Sequence, residues 1–389
     1  MTEIRIGFIP LVDAAPLVAL KEIGFAREEG IEVSLHREIS WSNIRDKLAV
    51  GLYDGSHLLA PMALATNLGL AGPPADLIVP YVLNLNGDVL CATTAFLESV
   101  GLPPDAGATE IAERIRSGAL GRKVTFGVPF FFSSHHFLLR YWLASEGVDP
   151  VKDVRIEVIP PPLMPDAIGN GVIDGMMVGE PWGSVAVDRG AASIFLSATE
   201  IWAGTPEKVF GMRRSWAESH SGAVQGLLRA LYRASTWVQD PSNRVTLSEL
   251  LAKEAYLDLS AEVIERALSG ELTRTPQGLQ GKIDRFMVFQ DGASSFPWLS
   301  QALWLMSQME RWGFVEATPE QRRIVRNTMA PNLYREALTP LGIAIPTANS
   351  KVEGALRESM PAASARGRLF LGPDAFCDGA VFDPAQGDV

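Results

Sequence analysis

Apolar positions along the chain switch repeatedly between a two-residue and a helical period. "IRIGFIP" (4–10) reads as a strand, "APLVALKEIGFAREEG" (15–30) as a helix, "IEVSLHREI" (31–39) as a strand, "SNIRDKLAVGLYD" (42–54) as a helix and "SHLLAP" (56–61) as a strand. The rhythm resumes with "VTFGVP" (124–129), the helical "SSHHFLLRYWLASEG" (133–147), "DVRIEVIP" (153–160), the helical "MPDAIGNGV" (164–172) and "GMMVGEP" (175–181). Strands that alternate with helices in this way predict mostly parallel sheets. From "GAVQGLLRALYRASTWV" (222–238) onward the pattern is mainly helical, and the stripe of Val224, Leu227, Leu228 and Leu231 reads as core.

Asp46 to Pro61 and Asp166 to Pro181 both follow D-x4-G-x2-DG-x5-P, each matched residue displaced by 120 positions. The common reading is a helix ended near a glycine, an Asp-Gly turn, and a strand stopped by proline. Two such units predict two similar α/β lobes, with ligands gathering in the cleft between the facing strand ends. "YVLNLNGD" (81–88) and "TPEKVFGM" (205–212) bracket the second set of elements and are the expected crossings, near 83–88 and 205–210. The first lobe is then 1–86 plus 210–389 and the second 87–209, a clamshell of α/β class.

At 389 residues with 47% hydrophobic positions, the chain can bury two cores. Its net charge of -11 argues against direct contact with nucleic acid or an anionic membrane surface. Cys91 and Cys377 lack a CxxC spacing, so neither a disulfide framework nor a zinc site is expected, and both read as reduced, buried thiols. The uncharged run Gly55 to Ala75 is broken by Pro61, Asn67, Gly69, Gly72 and Pro73-Pro74 and reads as strand, turn and buried helix rather than as a membrane span. The N-terminus lacks a basic segment followed by an apolar run, which sets a cytoplasmic expectation.

Enzyme signatures (GxSxG, Walker loop, GxGxxG, HExxH) are missing from the sequence, and no cofactor or metal is expected. In "FFSSHHF" (131–137), Ser133 or Ser134 can cap a helix whose free N–H groups favour an anion, with His135 at its mouth. Trp41 follows a strand in "ISWSNIRD", and Lys208 heads a strand at the second crossing. Together the three outline a small anion site with one formal charge, ring N–H donors and an aromatic wall.

The blocks "SWSNIRDKLAVGLYDGSHLLAPM", "LNLNG", "RYWLASEGVDPVKDVRIEVIPPPLM", "VGEPW", "TPEKVFGMR" and "FDP" resemble the nitrate-binding NrtA and NasS proteins, relatives of bicarbonate-binding CmpA. The resemblance runs over nearly the whole chain, and with no export signal in view it is nearest to the cytoplasmic nitrate and nitrite sensors of the NasS branch. It implies a type II periplasmic-binding-protein fold closing over nitrate or nitrite. Trp41, Gly87, Asp88, Ser134, His135 and Lys208 fall on ligand positions, with Glu180 behind them. Bicarbonate-binding relatives carry an acidic residue where this chain has Lys208, which favours nitrate. Asp88 departs from the family's glutamine and would repel nitrate unless paired with a cation such as Lys208 or a protonated His135.

The resemblance further implies a NasT-like antiterminator partner with an RNA-binding ANTAR domain, held when the sensor is empty and released when nitrate closes it. The alternative expectation is a solute-binding component of a nitrate or bicarbonate transporter. An enzyme on this fold, such as a pyrimidine synthase of thiamine biosynthesis, is disfavoured because the sequence has neither a cysteine cluster nor a histidine set suited to iron. A lysine in an open cleft contributes little to folding, so Lys208→Ala is expected to abolish anion binding while leaving the fold intact.

Overall fold

In the computed structural model, residues 1–385 are described; residues 386–389 of the expected first lobe lie outside the described residues. The strands are β1 (Thr2–Phe8), β2 (Ile31–Arg37), β3 (Gly55–Leu59), β4 (Leu77–Asn86), β5 (Asp88–Thr93), β6 (Val124–Val128), β7 (Val154–Val158), β8 (Gly175–Gly179), β9 (Ala192–Ser197) and β10 (Pro206–Arg213). One sheet runs β2-β1-β3-β10-β4 with the short strand Met287–Val288 at its edge, and the other runs β7-β6-β8-β5-β9. In each, three neighbouring strands are parallel and the fourth is antiparallel: β10 in the first sheet, β5 in the second. Both antiparallel strands follow a crossing from the other lobe. The two lobes therefore share one topology, and together they form a periplasmic-binding-protein-like α/β fold.

The displacement of 120 positions is carried into three dimensions. Ile6 pairs with Gly55 in the first sheet, and Phe126 with Gly175 in the second. Asp54 Oδ2 accepts the Arg5 backbone N–H at 3.0 Å, and Asp174 Oδ2 accepts that of Thr125 at 2.9 Å. Each carboxylate is also held by an arginine, Arg5 in one lobe and Arg122 in the other. The left-handed turn falls on Gly51 (φ +85°) and Gly171 (φ +68°), not on the Asp-Gly pair as the sequence suggested. Gly55 and Gly175 instead leave room for an aromatic ring: a Cβ would stand 2.2 Å from Phe210 in one case and 2.6 Å from Phe126 in the other. Aspartate staples the two parallel strands and glycine seats the ring, which explains both halves of the motif.

The crossings are stitched by the "LNLNG" asparagines. Asn86 (φ +60°) and Gly87 (φ +98°) turn the chain from β4 into β5. Asn86 Oδ1 accepts the Thr205 N–H at 3.2 Å, and its Nδ2 donates to the Ala203 carbonyl at 3.0 Å. Trp202 of the second crossing packs at a tilt against Trp304 (4.4 Å between centroids) and stacks on Phe376 (5.0 Å), tying the crossing to the C-terminal segment. Residues 206–209, placed with the second lobe by the sequence reading, pair in the first sheet, because β10 begins at Pro206 between β3 and β4.

Val224, Leu227, Leu228 and Leu231 of the helix Ser221–Gln239 are fully buried, in agreement with the core reading of that stripe. Cys91 is buried, whereas Cys377 is exposed, because it lies on the C-terminal segment that runs over the surface. Among the described residues no helix is long and apolar enough to cross a membrane.

Removing either aspartate orphans a strand N–H. Asp54→Ala and Asp174→Ala are each expected to lower stability by about 1–3 kcal/mol in urea unfolding. Equal losses are expected, since the two staples do the same work in the two lobes.

Candidate functional site

Residues from both lobes converge where the crossings meet. Lys208 is the third residue of β10, and its backbone N–H donates to Asn84 Oδ1 at 3.2 Å. Register shifts on either side of Lys208 break the pairing of β10 with β4. Regular strand pleating would send Glu207 and Lys208 to opposite faces; at this irregularity both side chains enter one cluster, with Lys208 Nζ 2.5 Å from Glu207 Oε1. Lys208 Nζ also lies 2.8 Å from Oδ2 of Asp13, which sits in a 3₁₀ turn beyond the carboxyl end of β1. On β3, His57 Nε2 stands 3.0 Å from Asp13 Oδ1.

The second lobe contributes Asp88, the first residue of β5, and His135, in the first turn of the helix Ser134–Ser145. His135 Nε2 is 3.1 Å from Asp88 Oδ1, and His135 Nδ1 is 3.3 Å from Glu207 Oε1. Trp41 opens the helix Trp41–Ala49 behind its cap Ser40, with its ring centroid 5.6 Å from Lys208 Nζ and 5.5 Å from the His57 ring. Every side chain in the set is at most 1% exposed. Trp41 Nε1, both His135 nitrogens, both Asp88 oxygens and Glu207 Oε2 are buried without an aligned hydrogen bond.

Burial alone would raise the Asp13 carboxyl, but Lys208 and His57 outweigh it and hold it at about 2. Burial pushes the Glu207 carboxyl up to about 7; Asp88 adds to the rise, and His135 and Lys208 oppose it. Burial would lower the Lys208 ammonium, yet Asp13, Glu207 and Asp88 raise it well above its ordinary value. His57 is lowered by burial, with Asp13 acting against that.

Trp41, Asp88, His135 and Lys208, expected as one site from the sequence, are thus brought together, with His135 Nε2 3.1 Å from Asp88 Oδ1. The balance of charge is the correction. Lys208 is not one uncompensated positive charge, since three buried carboxylates surround it. Asp13, His57 and Glu207 escaped the sequence reading. A position beyond the carboxyl end of β1 was the available signal for Asp13, but strand alternation pointed Glu207 away from Lys208.

Of the adjacent histidines only His135 enters the cluster. His136 donates from Nδ1 to the Phe131 carbonyl (2.6 Å), and its Nε2 accepts from Arg140 Nε (2.7 Å); burial and Arg140 hold its imidazole down at about 3. Ser133 is the helix cap, accepting the His136 N–H at 3.1 Å. Ser134 donates its hydroxyl hydrogen to the Pro206 carbonyl at 3.1 Å, so that hydrogen is committed to a bond between the lobes. Gly87 takes part through its carbonyl, which accepts the Glu180 N–H at 3.1 Å.

Glu180 also joins the lobes through its backbone: its carbonyl accepts the Val12 N–H at 2.9 Å, and the adjoining Trp182 Nε1–H donates to the Pro10 carbonyl at 3.0 Å. The Glu180 carboxyl is pushed up to about 7 by burial and accepts the Ser184 N–H at 3.2 Å. Asp88, His135 and Glu207 have ligand atoms within 4.8 Å of one another, a spacing a metal ion could bridge. The Lys208 ammonium already sits 2.5 Å from Glu207 Oε1 and supplies the cation that this oxygen needs, so the cluster reads as a charge network.

Residues 1–252 match the NMT1-like family. The chain is 30% identical over 400 aligned residues to the nitrate/nitrite binding protein NrtA of Nostoc, the match covering 99% of this chain and 84% of that protein. It is 34% identical to the nitrate import ATP-binding protein NrtC of Synechocystis, with 87% of this chain covered but only 50% of that protein, so the chain spans half of that relative's length. The crystal structure of the periplasmic nitrate-binding protein NrtA of Synechocystis superimposes with a TM-score of 0.87 at 27% identity, covering 99% of this chain and 96% of that one.

The buried ammonium reverses the expectation that Lys208→Ala leaves the fold intact. Its loss strands three carboxylates out of water and is expected to cost about 3–5 kcal/mol at pH 8, measured by denaturant unfolding. Lowering the pH neutralises Glu207, so the loss should shrink toward pH 5. In the unaltered protein the raised Glu207 carboxyl contributes stability that is lost as pH rises through about 7, while the lowered Asp13 carboxyl contributes stability that is lost as pH falls toward about 2.

Proposed function

The chain belongs to the NMT1-like family and is a protein of the NrtA type, and we propose that it binds nitrate or nitrite between its two lobes. The observation that carries this reading is the solvent-excluded set of Trp41, His135 and Lys208 at the meeting of both lobes, in a fold with a nitrate-binding structural neighbour. A planar oxyanion offers only acceptors. The buried Trp41 Nε1–H, which has no partner in the protein, and the Lys208 ammonium are donors of the kind it needs. All the donors are covered, so entry requires the lobes to part and rebinding requires them to close. The backbone bonds from Val12 to Glu180 and from Trp182 to Pro10 would break and re-form in that cycle.

The finer reading is a cytoplasmic sensor. Its ligand-free form sequesters a NasT-like ANTAR-domain antiterminator, and nitrate closure releases that partner to switch on nitrate assimilation genes. Support comes from the sequence blocks that resemble the NrtA and NasS proteins together, and from a candidate ligand set that exists as one unit only when the lobes meet. Linkage requires nitrate to weaken partner affinity by the factor by which the partner weakens nitrate affinity. A second reading, the binding component of a nitrate or bicarbonate transporter, is favoured by the relatives' own names, one an import protein and one periplasmic.

Calorimetric titration with nitrate, nitrite and bicarbonate in anion-free buffer is expected to give one-to-one nitrate binding, with Trp41→Ala weakening it by about tenfold or more. Binding of bicarbonate alone would move the assignment to the carbon-uptake relatives. Gel filtration with the antiterminator then separates the two roles: a complex that dissolves in nitrate supports the sensor, and the same elution with and without nitrate removes that role.

A further inference from the structure

We infer that the anion enters this site together with a proton, and that Glu207 holds it. This rests on the reading that the site binds nitrate or nitrite, and it begins from the charges that face one another. Asp13 on the turn after β1, Asp88 on β5 and Glu207 on β10 present three carboxylates. Facing them are one ammonium, Lys208, and two imidazoles, His57 on β3 and His135 on the helix Ser134–Ser145.

His135 lies between carboxylate oxygens at 3.1 and 3.3 Å, so each of its nitrogens needs a hydrogen, or the carboxylate facing it does. Even with that hydrogen supplied, and with His57 neutral because burial lowers its imidazole, three carboxylates outweigh the ammonium and one imidazolium by one negative charge. A bare nitrate would make the excess two, in a site that excludes the water that could screen it.

The geometry offers a seat for the missing proton. Glu207 Oε1 faces Lys208 Nζ and His135 Nδ1, while Oε2 is buried and has no hydrogen-bond partner. A hydrogen on Oε2 removes one negative charge and creates an O–H donor for a ligand that has acceptors only. Asp13 is a poor seat, since both its oxygens lie within 3.0 Å of a cationic or N–H-bearing group. Burial and Asp88 already hold the Glu207 carboxyl at about 7, so a nearby anion completes its protonation in the neutral range. The step is a proton transfer from a buffer acid to Glu207 as nitrate arrives. The acid's O–H or N–H bond breaks, its electron pair staying with the buffer base, and an O–H bond forms on Glu207.

The test titrates sodium nitrate into the full chain at pH 8 in buffers of differing ionisation enthalpy, which counts the protons taken up, and repeats the titration at pH 6. Uptake near one proton is expected at pH 8 and little at pH 6, with affinity falling toward about tenfold per pH unit above about pH 7. Glu207→Gln, the neutral isostere, should take up no proton and bind with affinities within about twofold at the two pH values. Nitrate binding with no buffer dependence and equal affinity at pH 6 and 8 overturns the inference while leaving the nitrate reading standing. Uptake that survives Glu207→Gln but vanishes in Asp88→Asn overturns the choice of Glu207. Absence of nitrate binding at either pH overturns both readings. If Glu207→Gln does not fold, Asp88→Asn decides the seat: uptake near one proton in that variant keeps Glu207, and loss of uptake removes it.

Discussion

One ammonium holds the two lobes of this protein to a common centre. Lys208 reaches Asp13 of the first lobe directly, and through Glu207 it reaches His135 and Asp88 of the second. Charges so deeply buried are costly to desolvate, and they are tolerated where each finds its counterpart. Parting the lobes would separate Asp88 and His135 from Glu207 and readmit water. An open form would therefore bury less charge, and in the proposed cycle the balance would be sensitive to anything that changes the charge count, an anion or a proton included.

That dependence explains several features that look unrelated in sequence. Asn84 fixes the Lys208 backbone where β10 loses its regular register with β4, and Asn86 and Gly87 turn the chain at the point where Asp88 must enter the second sheet. The Asp-Gly staples repeat in both lobes because both sheets must present their strand ends with the same precision. Glu180, expected behind the ligand, serves the junction mainly through its backbone, joined to Gly87 on one side and Val12 on the other.

Much of the fold was legible because it is written in local periods: alternation for strands, helical spacing for "GAVQGLLRALYRASTWV", and a recurring motif that keeps its displacement of 120 positions in the pairing of Ile6 with Gly55 and Phe126 with Gly175. The site was legible where a residue's place at a strand end or helix start marked it, as for Trp41, His135 and Asp88. It was not legible where tertiary geometry overrode the local rule. Glu207 reaches the same cluster as its neighbour Lys208 only because the strand is irregular there, and Asp13 and His57 meet because β1 and β3 lie side by side in the sheet. Residue types alone could not show that Lys208 was already balanced, which is why its substitution looked harmless to the fold.

The proposed oxyanion site is the junction itself, between Trp41 and the Lys208–Glu207 pair. A crystal structure of the protein grown with nitrate would locate the ion. The expected result is a planar trigonal density within hydrogen-bond distance of Trp41 Nε1, Lys208 Nζ and Glu207 Oε2, with the lobes closed around it. Nitrate found only on the outer surface, with the cluster of Asp13, Asp88, His135, Glu207 and Lys208 unchanged and still sealed, would contradict it.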